Sequence, residues 1–256
     1  MSKNFELMQQ AEKDQEFYLA RKAEPVTPTN FESAIGDIQR ETDGLDLDQL
    51  AGEEALRLVR QVFLLQSQEP PRTVTFAGID HGSGCSRICV RVAETLAKNI
   101  RGSVCLVEAN LRSPALPGMF GTTNHHGLTD CLLQDQPIRS FIKRVRGDNL
   151  WLLSSGALAA DSASLLNSDR LKARLAELRV EFDFVLIDAP PLTPYSDALS
   201  LGQLTDGFVV VLEANSTRRE AALRVSESLR ALNIRILGAV LNKRTFPIPE
   251  TLYKKL

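Results

Sequence analysis

No apolar run in these 256 residues approaches the ~18–20 residues that a membrane-spanning helix needs. The start of the chain also lacks the basic segment, short apolar stretch and small-residue cleavage site of a secretory signal, so a cytoplasmic protein is expected. Cysteine is sparse. Cys85, Cys89, Cys105 and Cys131 contain no C-x-x-C spacing, which points away from zinc and from a disulfide framework and toward reduced, mostly buried thiols. Internal repeats and low-complexity tracts are missing, so solenoids and extended linkers do not describe the bulk of the chain. Nor is there a large charge imbalance: the formal net charge is −2.

That small net charge conceals a division. Residues 1–70 carry 14 acidic and 7 basic side chains, which leaves the remainder net positive. Phe5–Arg21 has the loose amphipathic spacing of a short helix, a frayed surface segment or a docking element. The text from Lys22 to Gln49, with Pro25, Pro28, Gly36, Gly44 and scattered acids, reads as a mobile linker. Beyond it, a hydrophobic fraction of 43% suits one sizeable α/β domain with appendages. Leu56, Val59, Val62 and Phe63 mark one face of an amphipathic helix beginning at Glu53. Glu54, Arg57 and Arg60 fall three apart on a neighbouring stripe. Such a stripe is either a solvated face or a surface that meets its own copy, with Arg forking onto carboxylate.

Strands are expected at Thr73–Ala77, Ser103–Val107, Asn149–Leu153, Phe184–Ile187, Gly207–Leu212 and Ile234–Leu241. Helices are expected between them, notably Arg87–Asn99, Ala163–Val180 and Thr217–Leu232. Strands this apolar, alternating with helices, predict a doubly wound α/β fold: a mostly parallel sheet with helices on both faces. Ligands in such folds sit at the carboxyl ends of the strands.

The stretch Gly78-Ile79-Asp80-His81-Gly82-Ser83-Gly84-Cys85-Ser86 lies at such an end. A strand, a glycine-rich turn and a helix form a phosphate cradle, because glycines let backbone N–H groups approach an anion at the positive end of a helix. A nucleotide P-loop places Lys directly before the Ser or Thr; here that position is Cys85. Three further stretches lie at strand ends. One carries Glu108, Asn110 and Arg112 in quick succession. Another ends in Asp188, which can hold the water shell of Mg²⁺. The last supplies Asn242, Lys243 and Arg244, groups able to hydrogen-bond a purine. Taken singly, Asp188 reads equally as a turn or cap residue, Arg112 as a surface charge and Asn242 as a turn former.

Together and in this order, these stretches resemble the bacterial tyrosine kinases of capsular and exopolysaccharide synthesis, P-loop proteins related to the partition and septum-placement ATPases. The resemblance spans about residues 53–245. Glu54-x-x-Arg57-x-x-Arg60 resembles the family's oligomerisation motif, residues 78–86 its Walker A loop, Glu108–Pro114 its second acidic motif and Asp188-Ala189-Pro190-Pro191 its Walker B. Gly127-Leu128-Thr129-Asp130-Cys131-Leu132, Ser196-Asp197-Ala198-Leu199 and Gly238-Ala239-Val240-Leu241-Asn242 also match family text. The resemblance divides the chain into an acidic segment 1–50, a kinase-like domain 51–246 that includes a ring-forming helix 53–66, and a tail 247–256. It implies ATP or ADP with Mg²⁺ as cofactors. Gly82, Ser83, Gly84, Cys85, Ser86, Arg87, Asn242 and Lys243 would contact nucleotide, Ser86 and Asp188 the metal, and Glu108, Asp188 and Arg112 the chemistry. It also implies a homo-oligomer docked on the cytoplasmic segment of a membrane polysaccharide co-polymerase, without nucleic acid and without direct membrane insertion.

The departures from the family cluster on its catalytic positions. The Walker Lys is Cys85, the two Asp of the second motif are Glu108 and Asn110, and a loop Pro is His81. The tail carries one tyrosine, Tyr253, where the family has a cluster of acceptors. Losing one preorganised donor to a developing charge costs about 10²–10³ in rate. A base misplaced by about 1 Å costs about 10². A weakened or inactive kinase-like regulator is therefore expected, with an active autokinase or a partition-type nucleotide switch as alternatives. Arg87 or Arg112 would have to replace the missing Lys in an active form. Cys85, at a helix N-terminus, reads either as an activated thiol or as a small residue tolerated after loss of function.

Overall fold

The computed structural model describes residues 47–64, 70–157 and 162–244. The expected Phe5–Arg21 helix, the linker after it, Tyr253 and the tail 247–256 lie outside these residues.

Seven strands form one sheet: β1 (Thr73–Gly78), β2 (Val104–Glu108), β3 (Ile142–Arg146), β4 (Leu150–Leu153), β5 (Phe184–Asp188), β6 (Gly207–Glu213) and β7 (Ile236–Asn242). Their spatial order is β3-β4-β2-β5-β1-β6-β7. Every neighbouring pair is parallel except β3–β4. β1 and β2 are buried along their whole length because helices cover both sides.

The helices are α1 (Leu47–Val59), α2 (Cys85–Asn99), α3 (Leu116–Met119), α4 (Leu128–Leu133), α5 (Ser162–Leu166), α6 (Asp169–Glu181), α7 (Asp197–Gln203) and α8 (Arg219–Ala231). α1 runs on into a π-turn, Arg60–Leu64, which keeps Val62 and Phe63 buried. Phe63 meets the ring of Phe184 edge-on at 5.7 Å. Chain contacts group Ala51–Leu256 into one unit.

The two-residue period of the strands sorts their side chains between two apolar layers. Cys105, Val107, Val185 and Ile187 pack with α4, α6, α7 and α8. Val104, Leu106 and Leu186 pack with α1 and α2. Continuing that alternation by two residues places Glu108 and Asp188 on the α2 side of the sheet, at the carboxyl ends of their strands.

Two expectations change. Ala163–Val180 is not one helix: it breaks at Asn167-Ser168, where extended Ser168 accepts the Leu171 N–H through its hydroxyl and starts α6. β3, with sequence Ile-Lys-Arg-Val-Arg, has no counterpart among the expected strands. It is an edge strand whose alternate basic residues face solvent, a composition that protects an open edge from pairing with other chains.

Candidate functional site

The cradle between β1 and α2 is built around glycine. A side chain at Gly78 would overlap the Ser83 hydroxyl. Gly82 and Gly84 have φ of 80° and 81°, a left-handed conformation that other residues adopt only with strain. A Cβ on Gly84 would strike the side-chain amide of Asn242. That amide donates to the Ser83 carbonyl at 2.8 Å, so Asn242, at the end of β7, braces the loop from across the sheet. The loop is also tied to the segment after β5. Leu192 and Thr193 donate their N–H groups to the carbonyls of Gly78 and Ile79, both at 2.9 Å.

Glu108 and Asp188 face each other in register on adjacent parallel strands. Glu108 is fully buried and Asp188 is 1% exposed. The Glu108 Oε2 atom accepts the N–H groups of Ala115 at 2.8 Å and Leu116 at 2.7 Å, at the start of α3. The longer Glu side chain thus reaches past the cradle to a backbone turn. Glu108 Oε1 and Asn110 Oδ1 are buried without a hydrogen-bond partner. Burial, reinforced by the Asp188 carboxylate, raises the Glu108 pKa. Burial also raises that of Asp188, against the opposing effect of the Ser86 hydroxyl and Cys85 thiol beside it.

Cys85 opens α2. Its thiol pKa is raised well above the ordinary value, by burial first and then by the Asp188 carboxylate. Of the two readings of Cys85, this favours a tolerated small residue over an activated thiol, since burial and a nearby anion keep the thiol protonated. All four cysteines are free.

The remaining candidates are drawn elsewhere. Arg112 pairs with buried Asp197 at 3.2 Å and lies over the Tyr195 ring at 4.4 Å. His81 meets the same ring edge-on at 5.8 Å. Lys243 pairs with Glu213 at 3.0 Å. Arg87 is exposed. Glu54 and Arg57 form an exposed pair at 3.3 Å on α1, with exposed Arg60 one turn further on. Asp197 and Tyr195 were not singled out as site residues, although Ser196-Asp197 belongs to a stretch of family text and could have signalled the first.

The buried carboxylates of Glu108 and Asp188, with the Ser86 hydroxyl beside Asp188, fit a hard, oxygen-seeking cation such as Mg²⁺. Among the described residues no group of three or more Cys, His, Asp or Glu is arranged for a metal, so water would complete the shell. The loop has the backbone geometry of a phosphate cradle, with Cys85 at the position that a P-loop gives to Lys.

A family model described as ParA, NUBPL iron-transfer P-loop NTPase, matches residues 74–255. The tyrosine-protein kinase YwqD of Bacillus subtilis is 31% identical over 161 residues, covering 63% of this chain and 68% of the relative. The solved kinase domain of VpsO superposes with a TM-score of 0.70 at 26% identity, covering 77% of this chain and 98% of that one. The septum site-determining protein MinD of Pyrococcus horikoshii OT3, complexed with Mg-ADP, shares the fold with a TM-score of 0.57 at 21% identity, over 72% of this chain and 76% of its own.

Proposed function

Because the chain belongs to the ParA-type P-loop NTPase family and is related within it to the bacterial tyrosine kinases of capsule and exopolysaccharide synthesis, we propose that it is a catalytically weakened member acting as a regulator of polysaccharide assembly. The observation that carries this reading is Cys85: a neutral thiol stands beside two buried carboxylates where the family places an ammonium. The cradle supports the phosphates only through backbone N–H groups and the α2 N-terminus. Ser86 and Asp188 would hold Mg²⁺, which when bound neutralises phosphate charge. Asn110 cannot take a proton, and half of the Glu108 carboxylate is committed to the α3 backbone. Only Glu108 Oε1 remains to accept the proton of an attacking tyrosine hydroxyl, from a side chain anchored at its other oxygen. Arg112 is held by Asp197 and lies over the Tyr195 ring.

The exposed Glu54, Arg57 and Arg60 stripe supports assembly with further copies. Among the described residues no helix is long and apolar enough to cross a membrane. Attachment at the inner face of the membrane would then come from the cytoplasmic segment of a polysaccharide co-polymerase. Tyr253 would be the tail's single phosphoacceptor if any phosphate is moved.

Calorimetry with ATP and ADP, with and without Mg²⁺, on wild type and Cys85→Lys tests the reading. Little or no wild-type binding, with micromolar affinity restored by Cys85→Lys, is the expected result. Tight wild-type binding of Mg-nucleotide overturns it and favours an active autokinase or a nucleotide switch.

A further inference from the structure

The two edges of the sheet are unlike. β3 guards one of them with Lys143, Arg144 and Arg146. β7 forms the other, and its sequence, Ile-Leu-Gly-Ala-Val-Leu-Asn, holds neither charge nor proline. Among the described residues its only strand neighbour is β6. An uncharged, apolar edge of this length is a template for a further strand. The Asn242 carbonyl accepts the Ala214 N–H just beyond β6. By the two-residue period the peptide groups of Val240 also face β6, and those of Ala239 and Leu241 face outward. The side chains of the same two residues are exposed, that of Leu241 by 56%. Val240 packs with the α2 layer, which leaves Ala239 and Leu241 on the α8 side. There α8 bears exposed Leu223 between two mixed pairs of exposed charges, Arg219 and Glu220 at its start and Glu227 and Arg230 at its end.

We infer that β7 pairs antiparallel with β7 of a second copy of this chain, about a two-fold axis at Val240. Such an axis sets Ala239 opposite Leu241 of the partner subunit, and Leu241 opposite the partner's Ala239. Both residues direct their peptide groups outward, so each pair exchanges both of its N–H···O bonds. The exposed Leu241 side chain then lies against the Ala239 methyl group across the seam. A slip of one residue would set outward peptide groups against inward ones. The charges on α8 favour a second copy over an unrelated strand. Antiparallel copies lay the start of one helix against the end of the other, so each carboxylate meets a guanidinium. This surface is distinct from the Glu54, Arg57 and Arg60 stripe on α1. It also reaches the cradle: β7 ends in Asn242, which holds the Ser83 carbonyl, so closing the edge fixes that brace.

The test is sedimentation velocity of the full chain carrying Arg57→Glu and Arg60→Glu, which removes association through α1. Dimers are expected to remain, and adding Leu241→Lys should weaken them about tenfold or more by placing a charge on the pairing strand. In the same protein without Leu241→Lys, hydrogen exchange at the Leu241 amide should slow as protein concentration rises. A chain that stays monomeric at about 100 µM, or dimers of equal affinity in a folded Leu241→Lys variant, overturns the proposal. So does a Leu241 amide protected equally at every concentration, which would mean that the chain's own residues after Arg244 cover the edge. If circular dichroism shows Leu241→Lys unfolded, the concentration dependence of exchange decides alone.

Discussion

Replacing Glu108 with Gln separates the two roles of this side chain. The Gln amide oxygen still accepts the Ala115 and Leu116 N–H groups that Glu108 Oε2 holds at 2.8 and 2.7 Å. The charge beside Asp188 is gone. In the wild type, burial first and Asp188 second raise the Glu108 pKa in the folded protein. The native state therefore holds a proton that the unfolded chain has already released. The stability from this group is complete below the ordinary carboxylate range and is lost as pH rises through the raised folded value. Within that window one proton gives a slope of about 1.4 kcal/mol per pH unit. Urea denaturation in EDTA from about pH 5 to pH 8 should show the wild type losing stability and Glu108→Gln losing less, Asp188 supplying the residual slope. At the alkaline end the Gln variant should be more stable by on the order of 1–3 kcal/mol. Glu108→Ala behaves differently: it strands two backbone donors, costing about 1–3 kcal/mol each at every pH. Parallel pH profiles for wild type and Glu108→Gln would refute the reasoning, because they would mean that Glu108 carries no raised pKa.

Gly84→Ala forces a left-handed backbone on a residue whose Cβ strikes the Asn242 amide, and thermal melts should show a loss of about 1–3 kcal/mol. Asp197→Ala removes the buried partner of Arg112 and should cost about 1–3 kcal/mol in chemical denaturation; an unchanged midpoint would show that the pair contributes nothing. Combined Arg57→Glu and Arg60→Glu should leave monomer stability within about 0.5 kcal/mol, since both side chains are exposed, while shifting sedimentation toward smaller species. Oligomers of unaltered size would remove the stripe from the interface.

Most strands were legible because a parallel strand covered on both faces is predominantly apolar. β3 escaped for the complementary reason: as an edge strand it buries little and carries three basic residues, so its pattern resembles a solvated loop. The break inside Ala163–Val180 escaped because apolar spacing continues through it. Only the Ser168 cap, a local hydrogen bond, separates α5 from α6.

The sequence by itself determined the strand–loop–helix cradle, the family and the loss of the Walker Lys, since each depends on residue type at fixed spacing along the chain. The tertiary structure decided what those residues face. Asn242 braces Ser83 across 159 positions, and Arg112 finds Asp197 across 85. Glu108 and Asp188 become neighbours only when β2 and β5 pair. The state of the Cys85 thiol is also tertiary: a helix N-terminus is local and visible in sequence, but burial, and after it the Asp188 carboxylate from a distant strand, raise the thiol pKa.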